Sequence, residues 1–184
     1  MISNDRRLIY LDDGRFWEYP EYPIMADGEF MKEEEFDSLY NKKIKILNLY
    51  KCKDITHIPS GLPVSEYLII DSCPKLQEIG NLKRLRTLYI SDCPYIIHLP
   101  EHIRVDNLIL KRCPKLNKLP EDLRVEAVLT LREMTFHSDF PKNIRLGGID
   151  KLACTYTVNT PRLNAIEREI AIAEGRWRTD LEYR

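Results

Sequence analysis

Cysteine and histidine are the residues of this chain whose chemistry could supply a nucleophile, a metal ligand or a redox pair. Cys52, Cys73, Cys93 and Cys113 follow one another at separations of 21, 20 and 20 residues, with a fifth cysteine at Cys154. Zinc sites draw their ligands in close pairs such as C-x-x-C, whereas here one thiol arrives per twenty residues with no histidine at ligand spacing, which argues against a metal. Disulfides are harder to exclude on distance, because stacked rungs fall inside the roughly 4.4–6.8 Å window for bridged Cα atoms. An odd number of cysteines without a secretory signal nevertheless favours free thiols in a reducing compartment. One further step of 21 residues from Cys113 lands on Met134. A packing position tolerates that exchange and a ligand or nucleophile does not, so the thiols read as small buried rungs with weak S–H donors. The chain contains no Gly-rich phosphate loop, G-x-S-x-G or H-E-x-x-H, and His57, His98, His102 and His137 scatter over expected outer turns. No catalytic residue, metal or cofactor is therefore expected.

The elements that place the rungs follow from the surrounding pattern. Leu47 and Leu49, Leu68 and Ile70, Leu88 and Ile90, Leu108 and Leu110, and Leu129 and Leu131 precede the rung by five and three residues. Ile55, Leu76, Ile96 and Leu116 follow it by three, and Ile58, Ile79, Leu99, Leu119 and Phe140 by six, mostly with proline next. The unit LxxLxLxxCxxLxxLPxxLx thus recurs in five copies over residues 44–145. Its LxL core alternates with period two, so the leucines share one face of a short strand. Copies stacked as parallel strands about 4.8 Å apart bury the apolar face that no copy can bury alone. Proline just past the rung ends the strand, and the second proline suits the first position of an outer turn.

This unit resembles the leucine-rich repeat family, whose consensus carries Asn or Cys at the rung. The C-P-x-L…L-P wording is similar to plant intracellular immune receptors, and the 20-residue period to short bacterial effector repeats. The resemblance implies an α/β solenoid with a parallel β-sheet on the concave face, short turns on the convex face, and a cap at each end. It also implies recognition of, or interference with, another protein, including a viral or bacterial protein acting on host machinery.

Residues 1–43 hold eleven acidic and six basic side chains, a net of −5, which leaves 22 basic against 18 acidic beyond them, or +4. That boundary divides the chain into an N-terminal cap (1–43), five repeats (44–145) and a last partial repeat with a capping helix (146–184). In the first piece the spacing predicts a hairpin around Asp12-Asp13-Gly14, then a short helix from Glu29 to Asn41. Asp27 is its expected N-cap and Phe30, Phe36, Leu39 and Tyr40 its contacts, while Trp17, Tyr19 and Tyr22 are expected to cover the first repeat. In the last piece Leu163, Ile166, Ile170 and Ala173 recur at helical spacing between Pro161 and Gly175. Two registers suit the sixth copy. Counting twenty from Met134 puts Lys151 at a core position, so the preferred register sets Ile149, Leu152 and Cys154 inward.

The residues between the core leucines face away from the core. Ile46, Asn48, Tyr50, Tyr67, Ile69, Asp71, Tyr89, Asp92, Ile109, Lys111, Arg112 and Arg132 form the expected partner-binding set, with Ile69, Tyr89 and Ile109 as an exposed apolar stripe beside Tyr67 and a charged rim. The alternative surface is an arginine edge, Arg84, Arg104, Arg124 and Arg145, suited to nucleic acid or another polyanion. Neighbouring Asp106, Glu126, Glu101, Glu121 and Asp122, a formal charge of −1 and the lack of basic aromatic platforms weigh against nucleic acid. No membrane or small-molecule partner is expected. The opening residues are too charged for a secretory signal and no window approaches the ~18 apolar residues of a membrane span. The expected location is cytoplasmic, in a host cell if the chain is a viral or secreted effector.

Overall fold

The structure is a computed structural model and describes residues 8–10, 16–18, 24–27, 36, 37, 39–41, 44–152, 155, 156 and 161–173, with side chains described for 36, 37, 39–41, 44–149 and 161–172. In chain order the elements are β1 (Leu8–Tyr10), β2 (Phe16–Glu18), β3 (Ile24–Asp27), β4 (Ile44–Tyr50), β5 (His57–Ile58), β6 (Val64–Asp71), β7 (Glu78–Ile79) and β8 (Leu85–Ser91). They continue with β9 (Arg104–Lys111), β10 (Arg124–Arg132), β11 (Thr135–Phe136), β12 (Arg145–Leu146), β13 (Ile149–Leu152), β14 (Thr155–Tyr156) and α1 (Pro161–Ala173).

The repeat pattern becomes a parallel-strand solenoid of about five turns. One sheet runs in the order β12-β10-β9-β8-β6-β4-β3, with β13 also paired to β10. Residues one repeat apart are cross-strand partners: Leu47 opposite Leu68, Leu68 opposite Leu88, Leu88 opposite Leu108, and Leu108 opposite Leu129. On the inner side these leucines, the rung residues Cys52, Cys73, Cys93, Cys113 and Met134, and the outer-turn residues Ile55 to Phe140 form one continuous buried cluster. Pro100, Pro120 and Pro141 are buried in the outer turns. Two narrow two-stranded pairings, β5 with β7 and β11 with β14, tie turns of neighbouring repeats together.

A second column explains how each strand turns its corner. Lys51, Ser72, Asp92, Arg112 and Glu133, each directly before the rung, all have φ between 45° and 56°. A non-glycine residue reaches that left-handed region only against a steric cost. Here the turned backbone extends the ladder by one bond: Lys51 N–H donates to the Asp71 carbonyl, Ser72 to Ser91, Asp92 to Lys111 and Arg112 to Arg132, at 2.8–3.1 Å. The corner also lines up five polar side chains along the C-terminal rim of the sheet.

Three features depart from the simple repeat. β3, unexpected from the sequence, adds a strand outside β4, pairing Ile24 with Leu47 and Asp27 with Tyr50. Asp27 is thus the last residue of a strand; of the helix expected from Glu29 to Asn41, residues 29–35 and 38 lie outside the described residues, and 36, 37 and 39–41 form a short 3₁₀ turn. Phe36 and Leu39 are buried in the core cluster, whereas Tyr40 is exposed and donates its hydroxyl to the Ser60 carbonyl at 2.7 Å. β10 carries an extra residue, and its register against β9 shifts between Val125 and Val128. That bulge brings the backbone of Glu126 and Ala127 against Gly147, where a Cβ would collide with the Glu126 carbonyl. Finally, the preferred sixth register is corrected: β13 pairs Leu129 with Ile149 and Leu131 with Lys151, the twenty-residue step, and β14 keeps that step by pairing Thr135 with Thr155. The desolvation objection to Lys151 applies to a rung sealed by a further rung, and among the described residues no strand stacks beyond β13.

The predicted strands of the N-terminal hairpin are present as the antiparallel pair β1–β2, Leu8 opposite Glu18. At the other end α1 spans the expected residues and buries Leu163, Ile166 and Ile170 in the core cluster. The turn residues 11–15, the side chains of Trp17, Tyr19 and Tyr22, and the side chain of Cys154 lie outside the described residues.

Candidate functional site

The thiol column is sealed. Cys52, Cys73, Cys93 and Cys113 are free and buried. Cys93 donates to the Ser91 carbonyl at 3.2 Å and Cys113 to the Lys111 carbonyl at 3.1 Å, each two residues back, while Cys73 reaches across to the Leu49 carbonyl at 3.4 Å. Burial pushes the Cys113 thiol up to about 12. Cys93 is raised by its hydrogen bond to Cys73 and then by burial. Hydrogen bonds from Cys52 and Cys93 pull Cys73 the other way, yet a thiolate there would stand almost out of contact with water between two other sulfurs, so we take the column as protonated. Among the described residues no three His, Cys, Asp or Glu side chains converge as a metal site. No described helix is long and apolar enough to cross a membrane.

The outward face of the sheet differs from its sequence reading. Ile46, Ile69, Tyr89 and Ile109 do come together, as a second apolar cluster with Tyr67 beside it, on the face opposite the main core. They are not an exposed stripe: their exposures are 3%, 3%, 6% and 4%. Thr87, Ser91, Lys111 and Arg132 on the same face are buried as well. Neighbouring strands shield the flanks of a side chain about 4.8 Å away but leave its tip open, so burial to this degree needs a layer across the face. Period-two alternation says which way a side chain points and nothing of what lies above it. That is why the stripe was misjudged. Within the expected set, Asn48, Tyr50, Tyr67, Asp71, Asp92 and Arg112 are half-buried, and Lys111 and Arg132 are buried cations. Lys111 Nζ stands 5.7 Å from the Tyr89 ring centroid, and both cations hold further partners.

The rim at the strands' C-terminal ends is the accessible part. Arg112 makes a two-pronged pair with Asp92, Nε to Oδ1 and Nη2 to Oδ2, both 2.7 Å, and reaches Glu133 at 3.3 Å. Ser91 Oγ donates to Asp92 at 2.6 Å and accepts from Arg112 at 3.3 Å. The Arg112 bonds hold the Asp92 carboxyl below the usual carboxylate range and raise Arg112 in turn. One strand over, burial raises the Asp71 carboxyl against the opposing effect of the Ser72 hydroxyl. Ser91 and Glu133, central to this network, were not singled out from the sequence. Their signal was position alone: they precede the rung by two residues and by one, in the two columns that end each strand at the rim.

The arginine edge lies at the other ends of the strands. Arg104 stands opposite Arg124, and Arg124 opposite Arg145. Arg84 pairs with Asp106 at 3.0 Å, and Arg86 donates to the Tyr67 hydroxyl at 3.5 Å with Glu66 4.0 Å away. Ser65, Glu66, Arg84, Leu85, Arg86 and Asp106 line an open polar groove of about 370 Å³. Its charges are already matched within the groove. The four histidines are exposed, and His102 donates its backbone N–H to Asp122 at 2.9 Å while its ring contacts the same carboxylate. No family model, curated protein or solved structure matches this chain.

Proposed function

We propose that the chain is a leucine-rich-repeat recognition protein that binds a partner protein, without catalysis, through the strand-bearing side of its solenoid. The observation that supports this most is the composition of that side: a sheet face carrying a second apolar cluster, bordered by the ordered Asp92–Arg112–Glu133 rim. A sheet that needs only one core keeps its other face polar. An apolar centre with a polar rim rich in arginine and tyrosine is how recognition surfaces are built. The direct contact set is narrower than the sequence alone suggested. It comprises Tyr50, Lys51, Asp71, Asp92, Arg112 and Glu133, with the buried row behind them.

Affinity capture from a cell lysate, followed by quantitative binding, tests this. Arg112→Ala with Glu133→Lys weakens the captured partner at least about tenfold, as loss of an arginine hot spot does. The paired control Arg104→Glu with Arg124→Glu leaves it unchanged. Equal capture by wild type and rim variant overturns the proposal. Loss only in the edge variant, with a steep salt dependence, supports a polyanion ligand instead.

A further inference from the structure

We infer that the groove at the N-terminal ends of β6, β8 and β9 is a binding site for a small zwitterion, a molecule that carries a carboxylate and an ammonium on one short frame. Its volume of about 370 Å³ falls within the ~300–1,000 Å³ of small-molecule sites. Apart from Leu85 its lining side chains are polar or charged, which selects a polar ligand.

Strand register decides which charges meet there. Tyr67 stands opposite Thr87, and Thr87 opposite Asn107, so one residue earlier Arg86 is set between Glu66 and Asp106. Asp106 nevertheless pairs with Arg84, at 3.0 Å, and Glu66 stays 4.0 Å from Arg86. The bond from Arg86 to the Tyr67 hydroxyl, at 3.5 Å, is long. A guanidinium carries five N–H donors in a planar fork. Among the described residues Arg84 and Arg86 spend one each, and their side chains are 68% and 60% exposed. The charges of the groove thus match in number, while most of the arginine donors are left for a further acceptor.

The acceptor that fits is a carboxylate, whose two oxygens match the fork in a charge-assisted pair. Phosphate matches the fork as well, but its second negative charge would stand against Glu66 and Asp106. Those acids point to the other half of the ligand. Beside Glu66, Ser65 donates its hydroxyl to the Ile44 carbonyl at 3.2 Å, which leaves the oxygen's lone pairs to accept. An ammonium, with three donors and no acceptor, suits Glu66 and Ser65 together. The accepting strand β6 and the donating strand β8 are neighbours, ~4.8 Å apart, a distance that a short aminocarboxylate spans. The groove lies at the opposite ends of the strands from the Arg112 rim, so this site and the recognition face can fail independently.

Nitrogen-15 NMR of the full chain tests the assignment through the Nε–H resonances of Arg84 and Arg86. The probes are glycine, 4-aminobutyrate, acetate, methylammonium and inorganic phosphate. At least one aminocarboxylate is expected to shift both resonances saturably in the millimolar range, with acetate and methylammonium about tenfold weaker, as loss of a hydrogen bond between charged groups implies. Arg86→Gln weakens the aminocarboxylate by about tenfold, and Glu66→Gln lowers it to the level of acetate. Backbone amide spectra matching the wild type show that both exposed variants fold. No saturable shift with either aminocarboxylate, acetate or phosphate binding as tightly, or wild-type affinity in either variant overturns the assignment.

Discussion

Truncating Ile69 separates a covered concave face from an open one. Ile69→Ala removes three carbons from a site that is 3% exposed. At ~0.8 kcal/mol per buried carbon this costs about 2.4 kcal/mol before any cavity is counted, within the roughly 2–5 kcal/mol seen for Ile→Ala at buried sites. For a chain of this size, ~2–4 °C per kcal/mol translates that into a fall in Tm of about 5–10 °C. Thermal unfolding followed by circular dichroism gives the value, with two internal references. Leu68→Ala, one residue away and in the main core, falls at least as far. Val128→Ala, from the same face as Ile69 but 38% exposed, moves Tm by no more than about 1–2 °C. An Ile69→Ala shift no larger than that of Val128→Ala would refute the packing of a layer on the row.

Other consequences test the frame and its charges. Gly147→Ala forces backbone apart at the β10 bulge and lowers stability by about 1–3 kcal/mol in urea titration. Gly148→Ala costs less, because a Cβ there stands 3.3 Å from the Ala127 carbonyl, and equal costs would sink the bulge explanation. Asp92 is depressed by Arg112, so its contribution is present above the unfolded value of ~3.9 and lost as pH falls through the folded one. Asp92→Asn is therefore less stable than wild type at pH 7, with the gap closing toward pH 2. Asp71 has the opposite sign: raised by burial, it contributes below ~3.9 and that contribution is lost as pH rises through its folded value. Asp71→Asn keeps an acceptor for Ser72, gains on wild type at pH 7 and matches it at pH 3. Urea midpoints across that range decide both. Thiol labelling with mapping by mass spectrometry leaves Cys52, Cys73, Cys93 and Cys113 unmodified in the native protein and modifies all four on unfolding. Rapid native labelling of any rung would contradict a packing role.

The repeating frame was legible because it is local and periodic. Leu68, Leu88 and Leu108 meet across the sheet in the register the spacing predicts, and Met134 takes the fifth rung fully buried. The corner residues Lys51 to Glu133 were not legible as such, since nothing in non-glycine side chains announces φ near 50°. Lys151 misled for a physical reason, because the cost assigned to it belongs to an interior rung. Nor could the sequence reveal β3, four residues whose pairing with β4 depends on a free sheet edge rather than on the repeat. The candidate site was half visible. Alternation sent Ile46, Ile69, Tyr89 and Ile109 to one face correctly, while their burial depends on what lies across that face, which periodicity within a repeat does not encode.

Hydroxyl-radical footprinting of the intact protein tests the sealed concave face most directly, because it reads side chains rather than amides. Tyr89, at 6% exposure, and Tyr95, at 49% on the outer turn, share one chemistry and serve as their own comparison. The account predicts that Tyr89 oxidises severalfold more slowly than Tyr95 in the native state, with the difference vanishing in denaturant. Equal native rates would show the concave row open to solvent and contradict it.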